Sequence, residues 1–387
     1  MRRAAVVLAA VALLAGGCEA DAPPPAPEPP VAVAWQPVAL PMPAGAGGRL
    51  VVRDVVACPG VWFVVGAVRD PRGGTRPAAW TSPDARTWTA LTLDAKTYYG
   101  RQNVLSTVAC RDGRMAAVGA KSGGAHGNPR TSSWHQTADG VLHEVRAPFE
   151  LFGGPRAVNV ARMDGGPAGF LIVGNRMSGA AIWRSPDAAE FEIREGAPAL
   201  ASDASGVTWA FDATATPDGW LVAGGFLPKG RIDRDVMGWR SADGSVWERV
   251  PAAGASDAYE ELQRVVMHDA VPVGAGLRGS AFGVWRLAAG EWRPVGSFGS
   301  VPPGGLSSVR ALSVAGDRLF CVTTDGASYF LWVSDDGGAG WRAAALPVAV
   351  PARAESAVVV AGDGQGRAVL LSDDGADGRI YVAASGT

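Results

Sequence analysis

An aromatic residue followed by a short polar turn recurs seven times along this chain. The copies are Ala79-Trp80-Thr-Ser-Pro-Asp84, Ser133-Trp134-His-Gln-Thr-Ala-Asp139, Ile182-Trp183-Arg-Ser-Pro-Asp187, Gly238-Trp239-Arg-Ser-Ala-Asp243, Val284-Trp285-Arg-Leu-Ala-Ala-Gly290, Leu331-Trp332-Val-Ser-Asp-Asp336 and Ile380-Tyr381-Val-Ala-Ala-Ser385. The intervals are 54, 49, 56, 46, 47 and 49 residues. A period of this length describes one supersecondary unit that buries its faces only against copies of itself.

Each unit has the same interior. A first apolar run (Leu50 to Ala57 in the first copy) leads to a Gly/Asp turn in most copies and then to a second run such as Trp62-Phe-Val-Val-Gly66 or Phe170-Leu-Ile-Val-Gly174. These runs are too short for helices and rich in β-favouring residues, so they read as strands. The repeated aromatic opens a third strand. A fourth opens with Trp88, Trp247, Trp292 or Trp341, and with Phe191 or Leu142 in the same place. Seven four-stranded antiparallel units predict an all-β, seven-bladed β-propeller spanning 34–387. The last unit lacks a fourth strand, and Ala34-Trp35-Gln-Pro-Val-Ala-Leu40 matches an orphan copy of one. Pairing the two closes the ring and removes a free sheet edge.

The segment before the repeats reads as an address. Arg2 and Arg3, an apolar run from Ala4 to Leu14 and small residues up to Gly17 form a secretory signal over 1–17. Ala15-Gly16-Gly17-Cys18 resembles the lipobox of bacterial lipoproteins, which implies a lipid on Cys18 and anchoring outside the cytoplasm. A proline-rich linker over 18–33 follows, including Ala22-Pro-Pro-Pro-Ala-Pro-Glu-Pro-Pro, and favours an extended spacer. No second apolar span of about 18 residues occurs, so the membrane is reached only through the lipid.

The turns between third and fourth strands resemble the Asp-box, or BNR repeat, of sialidase-like propellers. Ser334-Asp-Asp336-Gly-Gly338-Ala-Gly-Trp341 fits throughout, whereas Ser82-Pro-Asp84-Ala-Arg-Thr-Trp88 and Ser241-Ala-Asp243-Gly-Ser-Val-Trp247 are one residue shorter; blades 2, 3 and 5 are degenerate. In that family the box is a fold staple and lies apart from the catalytic site. The Arg-Ile-Pro signature of sialidases is absent, and Tyr259-Glu260-Glu261 is the one place where a Tyr and Glu adjoin.

Other chemistry is sparse. Lys plus Arg number 35 against 37 Asp plus Glu, a balance unlike the clustered cationic face of a nucleic-acid binder. His126, His135, His143 and His268 have no metal-ligand spacing, so no metal and no cofactor is expected. Asp373-Asp-Gly375-Ala-Asp377-Gly378 reads as a turn rather than a calcium loop. Cys58 and Cys110 end the first strands of consecutive blades, so they are either bridged or two small buried residues repeated by duplication; Cys321 reads as an inert core thiol.

Function in propellers usually resides on the face built from the fourth-to-first and second-to-third connections. Those connections hold the most variable segments here, with Tyr98, Tyr99, Arg101, Phe149, Phe152, Arg156, Arg231, Tyr259 and Glu260 as a candidate exposed recognition set. The expectation is a monomeric, non-enzymatic, lipid-anchored module that binds a protein, glycan or envelope ligand, or serves as an assembly scaffold. The rival is a secreted carbohydrate-active hydrolase or lyase with an Arg/Tyr/Glu site at the mouth of the axis.

Overall fold

A computed structural model describes residues 29–123, 129–254 and 257–383. It is a seven-bladed β-propeller of four-stranded antiparallel blades. The first blade comprises Arg49–Cys58, Val61–Arg69, Thr75–Ser82 and Thr89–Ala90, ordered from the axis outwards. Neighbouring first strands lie side by side around the ring, including Arg49–Cys58 against Ala357–Gly362 of the seventh blade. That last blade is completed from the other end of the chain, where Gln36–Val38 pairs antiparallel with Gly378–Ala383. The chain joins the fold earlier than position 34. Val31 already bridges Ala344 on the outer edge of the sixth blade, and the Trp35 indole N–H donates to the Ala345 carbonyl at 3.2 Å. The signal segment, Cys18 and most of the linker lie outside the described residues.

The repeated tryptophans explain why the blades stack as they do. Trp80, Trp134, Trp183, Trp239 and Trp285 are fully buried between sheets. A buried indole gains from placing its N–H on an acceptor, although that of Trp292, equally buried, finds none among the described residues. Four of these rings place it on the connection that enters their own blade: Trp80 on the Pro41 carbonyl at 2.8 Å, Trp134 on Asn103 Oδ1 at 3.2 Å, Trp183 on Leu151 at 2.6 Å and Trp239 on Ala199 at 2.9 Å. The same residue therefore fills the core and pins a loop.

The third-to-fourth strand turns on the opposite face are stapled locally. Asp84 accepts the backbone N–H groups of Arg86 and Thr87 at 2.8 and 2.7 Å, and Trp88 donates back to Ala85 at 2.9 Å. Trp247 and Trp341 make the equivalent bond to Gly244 and Gly338. In the seventh blade's second-to-third turn, Asp374 accepts from Ala376 and Asp377, while buried Asp373 pairs with Arg49 and Arg53.

Around the axis the first strands of six blades carry a register shift at equivalent places, between Val52 and Asp54, Leu105 and Thr107, Val160 and Arg162, Ala210 and Asp212, Leu262 and Arg264, and Val309 and Ala311. A bulge re-aims the side chain that follows it. Asp54, Thr107 and Asp212 use that freedom to accept the N–H of the next blade's inner strand, at Val108, Met163 and Val265 respectively. These bonds cross between sheets that share no backbone ladder.

Cys58 and Cys110 are joined as a disulfide between the first two blades, with Cα atoms 6.0 Å apart. Cys321 is buried and free, and burial pushes its thiol pKa up. Denatured but unreduced Cys18→Ser protein should titrate a single thiol, rising to three after reduction; three before reduction would contradict the bridge.

Candidate functional site

The loop-rich face gathers the exposed apolar surface of the ring. Eleven large hydrophobic side chains are exposed among the described residues. Ten, including Met42, Tyr98, Phe149, Met177, Ile232 and Leu306, lie in the fourth-to-first and second-to-third connections or at adjoining strand ends. Only Val246 lies in a third-to-fourth turn, on the other face. Single exposed hydrophobics mean little, but segregation to one face is informative.

On the second blade three of the candidate residues come together. Tyr98 is 66% exposed and sets its ring edgewise to Tyr99 at 5.3 Å. The Arg130 guanidinium lies 5.5 Å from the Tyr99 ring and 4.5 Å from the Phe149 ring, where cation–π attraction holds it. Glu144 builds this arrangement from beneath. Its buried carboxylate accepts the backbone N–H groups of Lys96 and Thr97 at 2.7 and 2.8 Å and the hydroxyls of Thr97 and Ser132 at 2.7 and 2.9 Å. Any Cβ at position 100 would collide with that carboxylate, which is why glycine opens the short turn Gly100–Gln102. Asn103, which receives the Trp134 indole, donates in turn to the Tyr99 carbonyl at 3.0 Å. Arg101 is exposed on the same turn.

The rest of the candidate set is dispersed or occupied. Phe152, expected at the surface, is 8% exposed. It closes the four-residue helix Phe149–Phe152, whose two ends point opposite ways, and packs on Trp183 at 5.8 Å. Arg156 pairs with Glu195 at 2.7 Å, and Arg231 with Asp235 at 3.0 Å. Glu260 is buried and holds Arg278 at 2.9 Å. Tyr259 donates its hydroxyl to Glu261 at 2.7 Å, and Arg234 reaches the same carboxylate at 2.7 Å while lying 5.3 Å over Trp209. Burial and the Glu261 charge push the Tyr259 pKa up, so the phenol is held protonated rather than activated.

At the axis lies an open pocket of about 210 Å³ whose lining includes Asp54, Arg162, Asp164, Asp212, Arg264 and Ser313. Arg162 pairs with Asp54 at 3.0 Å, and Arg162 and Arg264 both donate to the Arg310 carbonyl. Burial, with Arg162 nearby, lowers the Arg264 pKa to about 9. Burial pushes Asp164 up to about 6 despite its bonds to the Ala215 and Gly165 N–H groups. These residues were absent from the candidate set, and Glu144 was not singled out either; Arg130 reads in the sequence only as one of several arginines scattered through the variable connections of this face. The axial signal was present in the sequence as a charge in the middle of most first apolar runs. Glu144 gave none, because its partners lie up to 48 positions away. His126 lies outside the described residues; His143 bonds Asp94 at 2.9 Å and His268 the Asp317 carbonyl at 3.1 Å.

No family model matches the chain, and no curated protein matches it. Among solved structures it is similar to an extracellular domain from B. thetaiotaomicron assigned to a one-component system, at 11% identity and a TM-score of 0.52, covering 91% of this chain and 40% of that one. The chain thus spans less than half the length of that neighbour. It is also similar to the β-propeller domain of the Trilobed protease from Pyrococcus furiosus, at 10% identity and TM-score 0.49, covering 87% and 94% of the two chains. The periplasmic gluconolactonase of Pseudomonas aeruginosa matches at 13% identity and TM-score 0.47, covering 77% and 86%. At such identities the likeness is one of fold alone.

Two outcomes follow from these geometries. Glu144→Ala should lower stability by about 2–4 kcal/mol, since it strands buried donors, and should speed amide exchange across 95–103; unchanged exchange there would contradict its role. Asp164 holds its proton to about pH 6 when folded, against 3.8 as its ordinary value. Stability should therefore fall as pH rises from about 4 through 6, by on the order of 2–3 kcal/mol. Asp164→Asn should be more stable than the parent at neutral pH and lose that slope in denaturant titrations; an unchanged slope would contradict it.

Proposed function

We propose that this protein is a non-enzymatic, lipid-anchored binding module displayed outside the cytoplasm, whose loop-rich face is its recognition surface. The observation that carries the reading is the segregation of exposed hydrophobic side chains, ten on that face against one on the other among the described residues. A soluble domain gains nothing from collecting such residues on one side unless something covers them. The address rests on the signal-like segment and Cys18. Residues 29–35 run along the outer edge of the sixth blade, so a tether attached there leaves both faces of the disc free.

A hydrolase with an Arg/Tyr/Glu centre is the second reading, favoured by the Arg234, Tyr259 and Glu261 cluster. Its three groups satisfy one another, and the phenol is held protonated. An ion pair that is complete without substrate fits a structural strut better than a nucleophile and its base.

Crosslinking in intact cells followed by affinity recovery compares the two faces. The double variant Ile232→Asp, Leu306→Asp should lose the crosslinked partner that the parent and Val246→Asp both retain. Equal recovery by all three would contradict the reading. Turnover of chromogenic glycosides that Glu261→Gln abolishes would establish the hydrolase instead.

A further inference from the structure

The geometry points to a binding site for an anionic polysaccharide on the second blade, built from Arg130, Tyr98, Tyr99 and Phe149. It deepens the reading above and depends on the loop-rich face being the working face. Arg130 differs from the other well-placed arginines of this face. Arg156, Arg176, Arg231, Arg234 and Arg278 each hold a carboxylate. Arg130 pairs with no carboxylate among the described residues, and its Nε is shielded from water with no acceptor. The two aromatic rings beside it satisfy its charge through their faces, and its two terminal Nη groups make no hydrogen bond among the described residues. A guanidinium fixed in this way is preset for two parallel hydrogen bonds to a carboxylate or sulfate.

The neighbouring surface says what carries that anion. Tyr98 is largely exposed, and a flat phenol face suits the C–H face of a sugar ring while its hydroxyl serves the ring's polar edge. Arg101, exposed on the turn that follows, supplies a second positive charge for a polymer whose anions repeat along the chain. An extended peptide is disfavoured because the outer edge of this blade is already paired, Leu93–Asp94 running parallel to Leu142–Glu144. The Glu144 hydrogen bonds hold the turn before any ligand arrives, so little ordering cost opposes binding.

Calorimetric titration of the full chain tests this, with oligogalacturonate as the carboxylated probe, sulfated dextran as the sulfated one, maltoheptaose as the neutral one and poly-glutamate as the acidic peptide. At least one anionic saccharide should bind, and maltoheptaose and poly-glutamate should not. Arg130→Ala and Tyr98→Ala should each weaken binding by about tenfold or more, and Arg130→Lys should fail to restore it, because an ammonium cannot make the paired bonds. Arg86→Ala, on the opposite face, should leave binding unchanged. Whichever anionic saccharide binds identifies the acid group. Poly-glutamate binding as well as the saccharides, or binding indifferent to Tyr98→Ala in a variant that unfolds at the parent's temperature, would overturn the proposal. So would failure of both anionic saccharides; if partner recovery still depended on Ile232 and Leu306, only this inference would fall.

Discussion

The structure depends on a buried indole that has to put its N–H somewhere. In a stack of β-sheets whose described residues include a single four-residue α-helix, tryptophan supplies the area that fills the wedge between neighbouring blades. Its one donor cannot be left in that wedge without cost. In four blades it reaches the connection arriving from the previous blade, so the packing residue is also the residue that fixes a loop. Core and loop-rich face are thereby coupled. Two of those anchors, at Asn103 and Leu151, lie in the connections that carry Tyr98, Tyr99 and Phe149.

That coupling also explains which parts of the fold could be read from the chain. The third-strand aromatic recurs because each wedge needs it, and its period gave the blade count, the strand order and the closing strand at Trp35. The turns were legible for a related reason: Asp84 bonds the Arg86 N–H and Trp88 the Ala85 carbonyl, so the turn is closed within five residues and written locally. Less legible were the additions that serve one blade only. The parallel strand Leu93–Asp94 and the helix Phe149–Phe152 interrupt segments that carry no repeat signal, and Phe152 reads as a surface aromatic until Trp183 is placed beneath it.

The candidate site was legible as a face and much less so as a set of residues. Tyr98, Tyr99 and Phe149 converge as one cluster, while Tyr259 and Arg231 are engaged by the nearby Glu261 and Asp235, and Glu260 and Arg156 by Arg278 and Glu195 farther along the chain. For Arg156 and Arg234 the partner that occupies the arginine lies at a distance in sequence. Arg130 and Arg234 both lie over aromatic rings, yet Glu261 holds the second and no carboxylate among the described residues holds the first. The axial charges follow the same logic: Asp54 meets Arg162 across two blades, 108 positions along the chain. Only the closed ring brings such groups together, and the bulges aim them inward.

Hydroxyl-radical footprinting of the protein in its native envelope, compared with the purified chain, tests the central claim that the loop-rich face is the one in use. Tyr98, Phe149, Ile232 and Leu306 should be protected in the envelope while Val246 is labelled equally in both. Equal labelling of all five, or protection confined to Val246, would contradict it.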